Sequence, residues 1–182
     1  MCAANAQSVV GLIDFDNGVT ADELKANQTV SRESAKADDG TPVYSVVEQP
    51  PTFPGGEMAL MKYIATHIKY PMLAQEYDVQ GMVGLKFVVM EDGSVGEVNV
   101  VKSMRQDIAA MSKEEYTESH PNATDEMYDR YLADFKSTRQ AEADCEAEAV
   151  RVVKSLPRFI PGKQQGKPVR VWFSLPIRFQ LQ

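Results

Sequence analysis

The chain has 182 residues, with 19 Lys and Arg against 26 Asp and Glu and a formal net charge of −7. That length suits one domain with a tail or an insertion, and it buries a core without disulfide or metal staples. The acidic balance excludes a nucleic-acid backbone as partner. Two Cys and two His leave no disulfide framework and no His-rich metal site. The apolar runs fall far short of the roughly 18 residues of a membrane span.

Charge is unevenly placed. Residues 1–103 carry a net −7 and residues 104–148 another −7, whereas residues 149–182 hold seven cations and no acid. A basic segment closes an acidic chain.

At the start, Ala4-Asn5-Ala6 fits the small-x-small pattern before a signal-peptidase cut, which predicts export and a signal-peptide remnant over 1–6. An Ala-rich start also matches that pattern by chance. The rest of the segment to Pro42 is polar and poor in aromatics, so 1–42 reads as an exported, flexible lead-in. Val43 to Val47 predicts a short strand. Pro50, Pro51 and Pro54 hold an extended entry, which Gly55-Gly56 ends.

Leu60, Met61, Ile64 and Ile68 share one face at the 3.6 period, which predicts a helix over 57–68 with Glu57 in its first turn. Tyr70-Pro71 stops it, and Pro71 opens a short helix through Gln75. Val83, Leu85, Phe87 and Val89 alternate as in a half-buried strand; Glu91 to Ser94 is turn chemistry, and the return strand runs over 95–103. Residues 104–140 read as an insertion with one amphipathic helix carrying Met127, Tyr128, Tyr131, Leu132 and Phe135. A separate core helix over 141–155 places Cys145, Ala149, Val152, Val153 and Leu156 on one side and ends at Pro157. Lys163 to Lys167 reads as a solvated loop. From Val169 to Leu181 the odd positions are all apolar, a strand with one buried face. Pro176 has no N–H for a ladder, so this strand lies at a sheet edge or carries a bulge.

No nucleophile elbow, paired-carboxylate motif or zinc signature stands in the chain, and no catalytic residue, metal or cofactor is assigned. His120 with Asp125 and Glu126 lacks ligand spacing and reads as a loop and helix cap. Cys145 reads as a core thiol.

The ordered set Tyr70-Pro71, Ala74, Gly81, Val83, Phe87, Val89, Asp92-Gly93, Val98, Val100, Pro161-Gly162, Val169 and Pro176 to Leu181 resembles the C-terminal domain of the energy-transducer protein TonB. The stretch from Val47 to Glu57 is similar to a lead-in in one branch of that family. The resemblance implies an α+β fold over 43–182: two helices on a three-stranded antiparallel sheet, with a helical insertion between strand 2 and the second core helix. It implies a periplasmic, non-enzymatic domain that binds the N-terminal box of an outer-membrane TonB-dependent transporter by strand addition and takes part in energy-coupled uptake. An inner-membrane proton-motive-force complex joins as a partner if an anchor lies upstream of Met1.

The partner-binding residues expected on this basis are His67, Tyr70, Pro71, Val169, Arg170, Val171, Trp172, Phe173, Ser174 and Arg178. His67 stands three before Tyr70, where the family's namesake has Gln. Each assignment has a plainer reading. Tyr70-Pro71 also serves as a helix stop with Tyr in the core. Arg170 and Arg178 also serve as charges that guard an edge, and Trp172 as a cover for a loop. Two other functions stay open: a stand-alone periplasmic adaptor or regulator without energy coupling, and a homodimer paired through the edge strand. The basic end favours an acidic or carboxylate-flanked peptide as partner.

Overall fold

The computed structural model describes residues 35–36, 41–104 and 109–181. The signal-peptide remnant over 1–6 and nearly all of the lead-in over 1–42 lie outside the described residues. The elements in chain order are β1 (Ala35–Lys36), β2 (Pro42–Val43), α1 (Gly56–His67), α2 (Met72–Glu76), β3 (Gly81–Val89), β4 (Val95–Lys102), α3 (Lys113–Ser119), α4 (Asp125–Lys154), β5 (Lys163–Gln164), β6 (Lys167–Pro168) and β7 (Val171–Phe179). Among the described residues, no helix is long and apolar enough to cross a membrane.

Period-2 alternation in two segments builds the central sheet. Its order is β4-β3-β7 with both pairings antiparallel, which is the expected three-stranded arrangement. β7 follows β3 without a shift from Gly81↔Phe179 to Val89↔Val171. Val83, Leu85, Phe87 and Val89 are fully buried, and Leu175, Ile177 and Phe179 meet them on the same face. The β3–β4 pairing slips at Gly84/Leu85 and at Phe87/Val89; such bulges increase local twist. The short pair β1–β2 lies outside this sheet. The predicted strand over 43–47 is shorter than expected, since only Val43 joins a strand and Tyr44 makes an isolated bridge.

α1 buries Leu60 and Ile64, and Ile68 beyond its end, against the sheet. The second core helix differs from expectation. The insertion helix and the helix over 141–155 are one continuous α4 of 30 residues, about 45 Å long at 1.5 Å per residue. The physical reason is plain in its composition: no Gly or Pro falls between Asp125 and Lys154, and Ala, Glu, Arg and Lys propagate a helix at little cost. Thr124 caps its start by accepting the Met127 N–H at 3.3 Å, with Asp125 and Glu126 in the first turn and Arg151 and Lys154 in the last. The buried stripe is Ala141, Cys145, Ala149, Val152 and Val153, so only the C-terminal half seals the core, packing on β4, β3, α2 and α1. Burial and the neighbouring acids push the Cys145 thiol up to about 12, as expected for a core thiol. The N-terminal half has its own aromatic contacts. Tyr116 of α3 packs on Tyr131 at 5.0 Å and Tyr128 at 5.5 Å, with His120 stacked at 4.5 Å.

One polar cluster fixes the end of α1 to α4. The Glu148 carboxylate accepts the Lys69 backbone N–H at 2.7 Å and two bonds from Arg151, at 2.6 and 2.7 Å. Arg151 Nη2 also donates to the His67 carbonyl at 2.8 Å, and the Tyr63 hydroxyl to the Ser155 carbonyl at 2.7 Å. Orphan groups at a helix C-terminus are thereby satisfied by a neighbouring helix. Partial burial raises the Glu148 carboxyl, but the Arg151 and Lys69 donors outweigh it and hold it below the usual carboxylate range.

Two turns set the loops. The β3–β4 turn has Gly93 at φ +82°, and Phe159 N–H donates to its carbonyl at 2.7 Å. A Cβ on Gly93 would stand 1.9 Å from the Phe159 oxygen. The expected basic loop over 163–167 is a tight hairpin in which β5 and β6 pair across Gln165 and Gly166, both at positive φ, as a type I′ turn requires.

Gly93→Ala should cost at least about 2 kcal/mol in urea denaturation, from strained φ plus the Phe159 clash. Gly166→Ala, with open space around it, should cost about 1 kcal/mol from φ alone. Equal losses would show that the Gly93–Phe159 approach is not tight. The Glu148 carboxyl is lowered by folding, so its contribution is present above the unfolded carboxylate pKa and disappears as pH falls through the folded one. Glu148→Gln should therefore lose stability near pH 7 and lose less than the parent between roughly pH 5 and pH 3. Parallel stability-against-pH curves for the two proteins would contradict this.

Candidate functional site

β7 has β3 on one side and, among the described residues and for most of its length, no strand on the other. In a strand both the side chains and the backbone N–H and C=O groups alternate from residue to residue. Trp172 N–H donates to the Tyr44 carbonyl at 2.9 Å, and the Arg170 carbonyl accepts from Tyr44 N–H at 2.8 Å, so the even-numbered residues present their backbone outward. With the register unbroken, the outward groups continue as Ser174 N–H and C=O, Pro176 C=O, and Arg178 N–H and C=O. Pro176 occupies a position whose N–H would have faced away from β3, so its missing donor leaves the ladder intact. The expected edge is thus built around that proline.

The side chains of this strand divide by face. Val171 is buried, and Phe173 packs inward on Phe87 at 5.4 Å and Phe159 at 5.5 Å. On the outer face Trp172 lies opposite the buried Val88, with Lys86 Nζ 5.0 Å above its ring, a cation–π arrangement. Ser174 and Arg178 are exposed. Val169, before the strand, is half-buried and its N–H donates to the Gly162 carbonyl at 2.9 Å. The Arg170 side chain is mostly buried, with Nε 3.9 Å from Glu91 in the β3–β4 turn. Arg158 stands 3.8 Å from Asp92 in the same turn.

His67, Tyr70 and Pro71 sit at the α1–α2 turn. Tyr70 is a core residue: its ring meets Phe179 edge-on at 5.7 Å and its hydroxyl donates to the Val79 carbonyl. Burial, with Cys145 and Asp78 nearby, pushes that phenol up to about 12. Tyr70 thus takes the core packing that is its plainer reading, with 7% of its surface exposed. Pro71 is half-buried before α2, and His67 is exposed with its ring stacked on Tyr63 at 3.8 Å. The group reaches only the Phe179 end of β7. Val169 and Arg170 lie at the other end, roughly 30 Å from Phe179 at 3.3 Å per residue, so the ten expected residues form two groups.

Sequence reasoning missed Tyr44 and Lys86. Tyr44 fell in a predicted strand whose pairing partner no pattern disclosed, and Lys86 faces Trp172 only because of the β3–β7 register.

A profile of the family described as the Gram-negative bacterial TonB protein C-terminal region matches residues 66–121 and 129–181. Two solution structures of the Helicobacter pylori TonB C-terminal domain are also similar. One is 21% identical over 69% of this chain and 92% of that chain, with a TM-score of 0.31. The other is 20% identical over 91% of this chain and 97% of that chain, with a TM-score of 0.35. No curated protein matches. The profile takes in the α1–α2 turn, all three strands of the central sheet and most of α4, more than half of the chain, and the chain therefore belongs to the TonB C-terminal domain family.

Proposed function

We propose that this domain works in the periplasm, where it captures the N-terminal box of an outer-membrane TonB-dependent transporter as a strand added to the outer edge of β7, and so takes part in energy-coupled uptake. The observation that carries this reading is the row of outward backbone groups at Ser174, Pro176 and Arg178 beside a β3 ladder that is already complete. An open edge is a template for another strand: main-chain hydrogen bonds supply affinity and alternate side chains supply specificity. Trp172 and Pro176 offer apolar surface on the outer face, and Lys86 and Arg178 add positive charge there. An acidic or carboxylate-flanked peptide fits that surface, and its binding is screened by salt. Strand addition also suits traction, since a paired strand bears load along its axis with no covalent chemistry. Coupling to an inner-membrane proton-motive-force complex rests on chain outside the described residues.

The test is titration of the isotope-labelled full chain with synthetic peptides covering the N-terminal segments of the source bacterium's outer-membrane transporters. Amides of Ser174 and Arg178 and their β7 neighbours should shift, and those of residues 109–138 should not. Trp172→Ala should weaken binding roughly tenfold, and so should raising salt from 0.05 to 0.5 M. Shifts concentrated in the α3–α4 hairpin or along β4 would sink the strand-capture reading.

A further inference from the structure

The outward groups of β7 are not equally available. Strand addition uses donors two residues apart, and Pro176 has none, so Ser174 and Arg178 are separated by a gap. Within β7 the successive outward donors are Trp172 and Ser174. Trp172 N–H is already given to the Tyr44 carbonyl at 2.9 Å, and the Arg170 carbonyl to the Tyr44 N–H at 2.8 Å. Tyr44 holds β7 as one residue of a parallel strand would.

A second observation shows how this residue is mounted. Gln49 and Lys163 exchange both backbone hydrogen bonds, at 3.1 and 2.8 Å, as do Thr52 and Ile160, at 3.0 and 2.8 Å. The Glu48 carboxylate accepts from Gln165 N–H at 3.0 Å and from the Gln164 side chain at 3.3 Å. Gly162 makes room for this crossing, because a Cβ there would stand 2.6 Å from Val171 Cγ2 and 3.2 Å from the Gln49 oxygen. Phe53 closes the anchor by packing edge-on to Phe159 at 5.3 Å. Between Tyr44 and this anchor, Ser45 and Val46 are exposed and belong to no strand. This segment is therefore tied down from Glu48 onward, and residues 45–47, which belong to no strand, separate that anchor from Tyr44.

Resting on the strand-capture reading above, we propose that the segment at Tyr44 is a built-in competitor for the peptide-binding edge. An incoming strand displaces Tyr44 from Arg170 and Trp172 to gain the Trp172–Ser174 donor pair, and Tyr44 returns when that strand leaves. The two occupants exclude each other, because a neighbouring strand takes the same row about 4.8 Å from β7.

The test uses the full chain and the same transporter peptides. In the parent protein the Tyr44 and Trp172 amides should be protected from hydrogen exchange, and saturating peptide should release Tyr44 while Trp172 stays protected. Tyr44→Pro removes the N–H given to Arg170 and suits the extended backbone before it. It should speed exchange at Trp172, leave the β3 amides protected, and tighten peptide binding about tenfold, the weight of one or two backbone hydrogen bonds. Shifts at Ser174 and Arg178 with Tyr44 still protected, or with Tyr44→Pro binding within twofold of the parent, would overturn the competitor and leave strand capture standing. No shift on β7 in either protein would overturn both.

Discussion

The pairing of β7 with β3 fixes the rest. In a strand one period-2 choice sets two things together, the face each side chain takes and the edge each backbone group addresses. Burying Leu175, Ile177 and Phe179 over Val83 and Leu85 turns the odd backbone groups toward β3. The even ones are left on the outside. The same choice puts Pro176 where no ladder bond is lost, brings Trp172 over Val88 and under Lys86, and aims Trp172 N–H at Tyr44. A slip of one residue would expose the apolar row and bury Arg178. The core is therefore what enforces the composition of the edge.

α4 and its contacts hold the remaining parts in place without obstructing that edge. The helix packs on β4, β3 and the two short helices, and Ser103 and Met104 after β4 bond to Glu146, so the α3–α4 hairpin leaves the domain from the β4 side. Two of its acids pair within it, Asp125 with Lys113 at 2.9 Å and Glu142 with Arg139 at 3.0 Å. The acids that meet the basic C-terminal segment come instead from the β3–β4 turn, where Glu91 faces Arg170 and Asp92 faces Arg158, and from Glu148 on α4. The positive charge is thus partly balanced near the start of β7 and is more open toward Arg178.

Much of this was legible in the sequence, for reasons that differ between elements. The odd-position run from Val169 to Leu181 and the alternation from Val83 to Val89 are local patterns, and Pro176 named the edge because a missing donor is a property of one residue. The α1 face at Leu60, Ile64 and Ile68 was readable in the same way. What could not be read depends on chain segments meeting. For Tyr70 a partner-facing and a core reading both stayed open, because whether an aromatic at a helix end turns in or out is decided by the Phe179 ring it meets. The break expected near 140 was drawn from a change of composition, and helices end at caps, Gly or Pro rather than at such changes. The Gln165-Gly166 hairpin was masked because Gln seldom takes the left-handed position that Asn or Asp usually fills.

An open edge in a small sheet is a hazard as well as a binding site, since it pairs with any strand offered. This domain carries three devices along one strand: a proline that interrupts the donors, an exposed Arg178, and the Tyr44 bridge. The first two are fixed: the proline weakens every added ladder by one donor, and Arg178 disfavours basic strands more than acidic ones. The third, on the proposal above, is reversible and imposes a threshold. A tethered segment competes at the millimolar effective concentration of a short linker, and its two backbone hydrogen bonds are worth about 1–3 kcal/mol together. Val43, fully buried next to it, adds roughly 1.5–3 kcal/mol to the cost of detachment if it is fully re-exposed. A partner strand gains the edge only by supplying more than that through its own ladder and through contacts on Trp172 and Pro176. If the edge captures a strand as proposed, its selectivity comes as much from what the Tyr44 segment withholds as from what β7 offers.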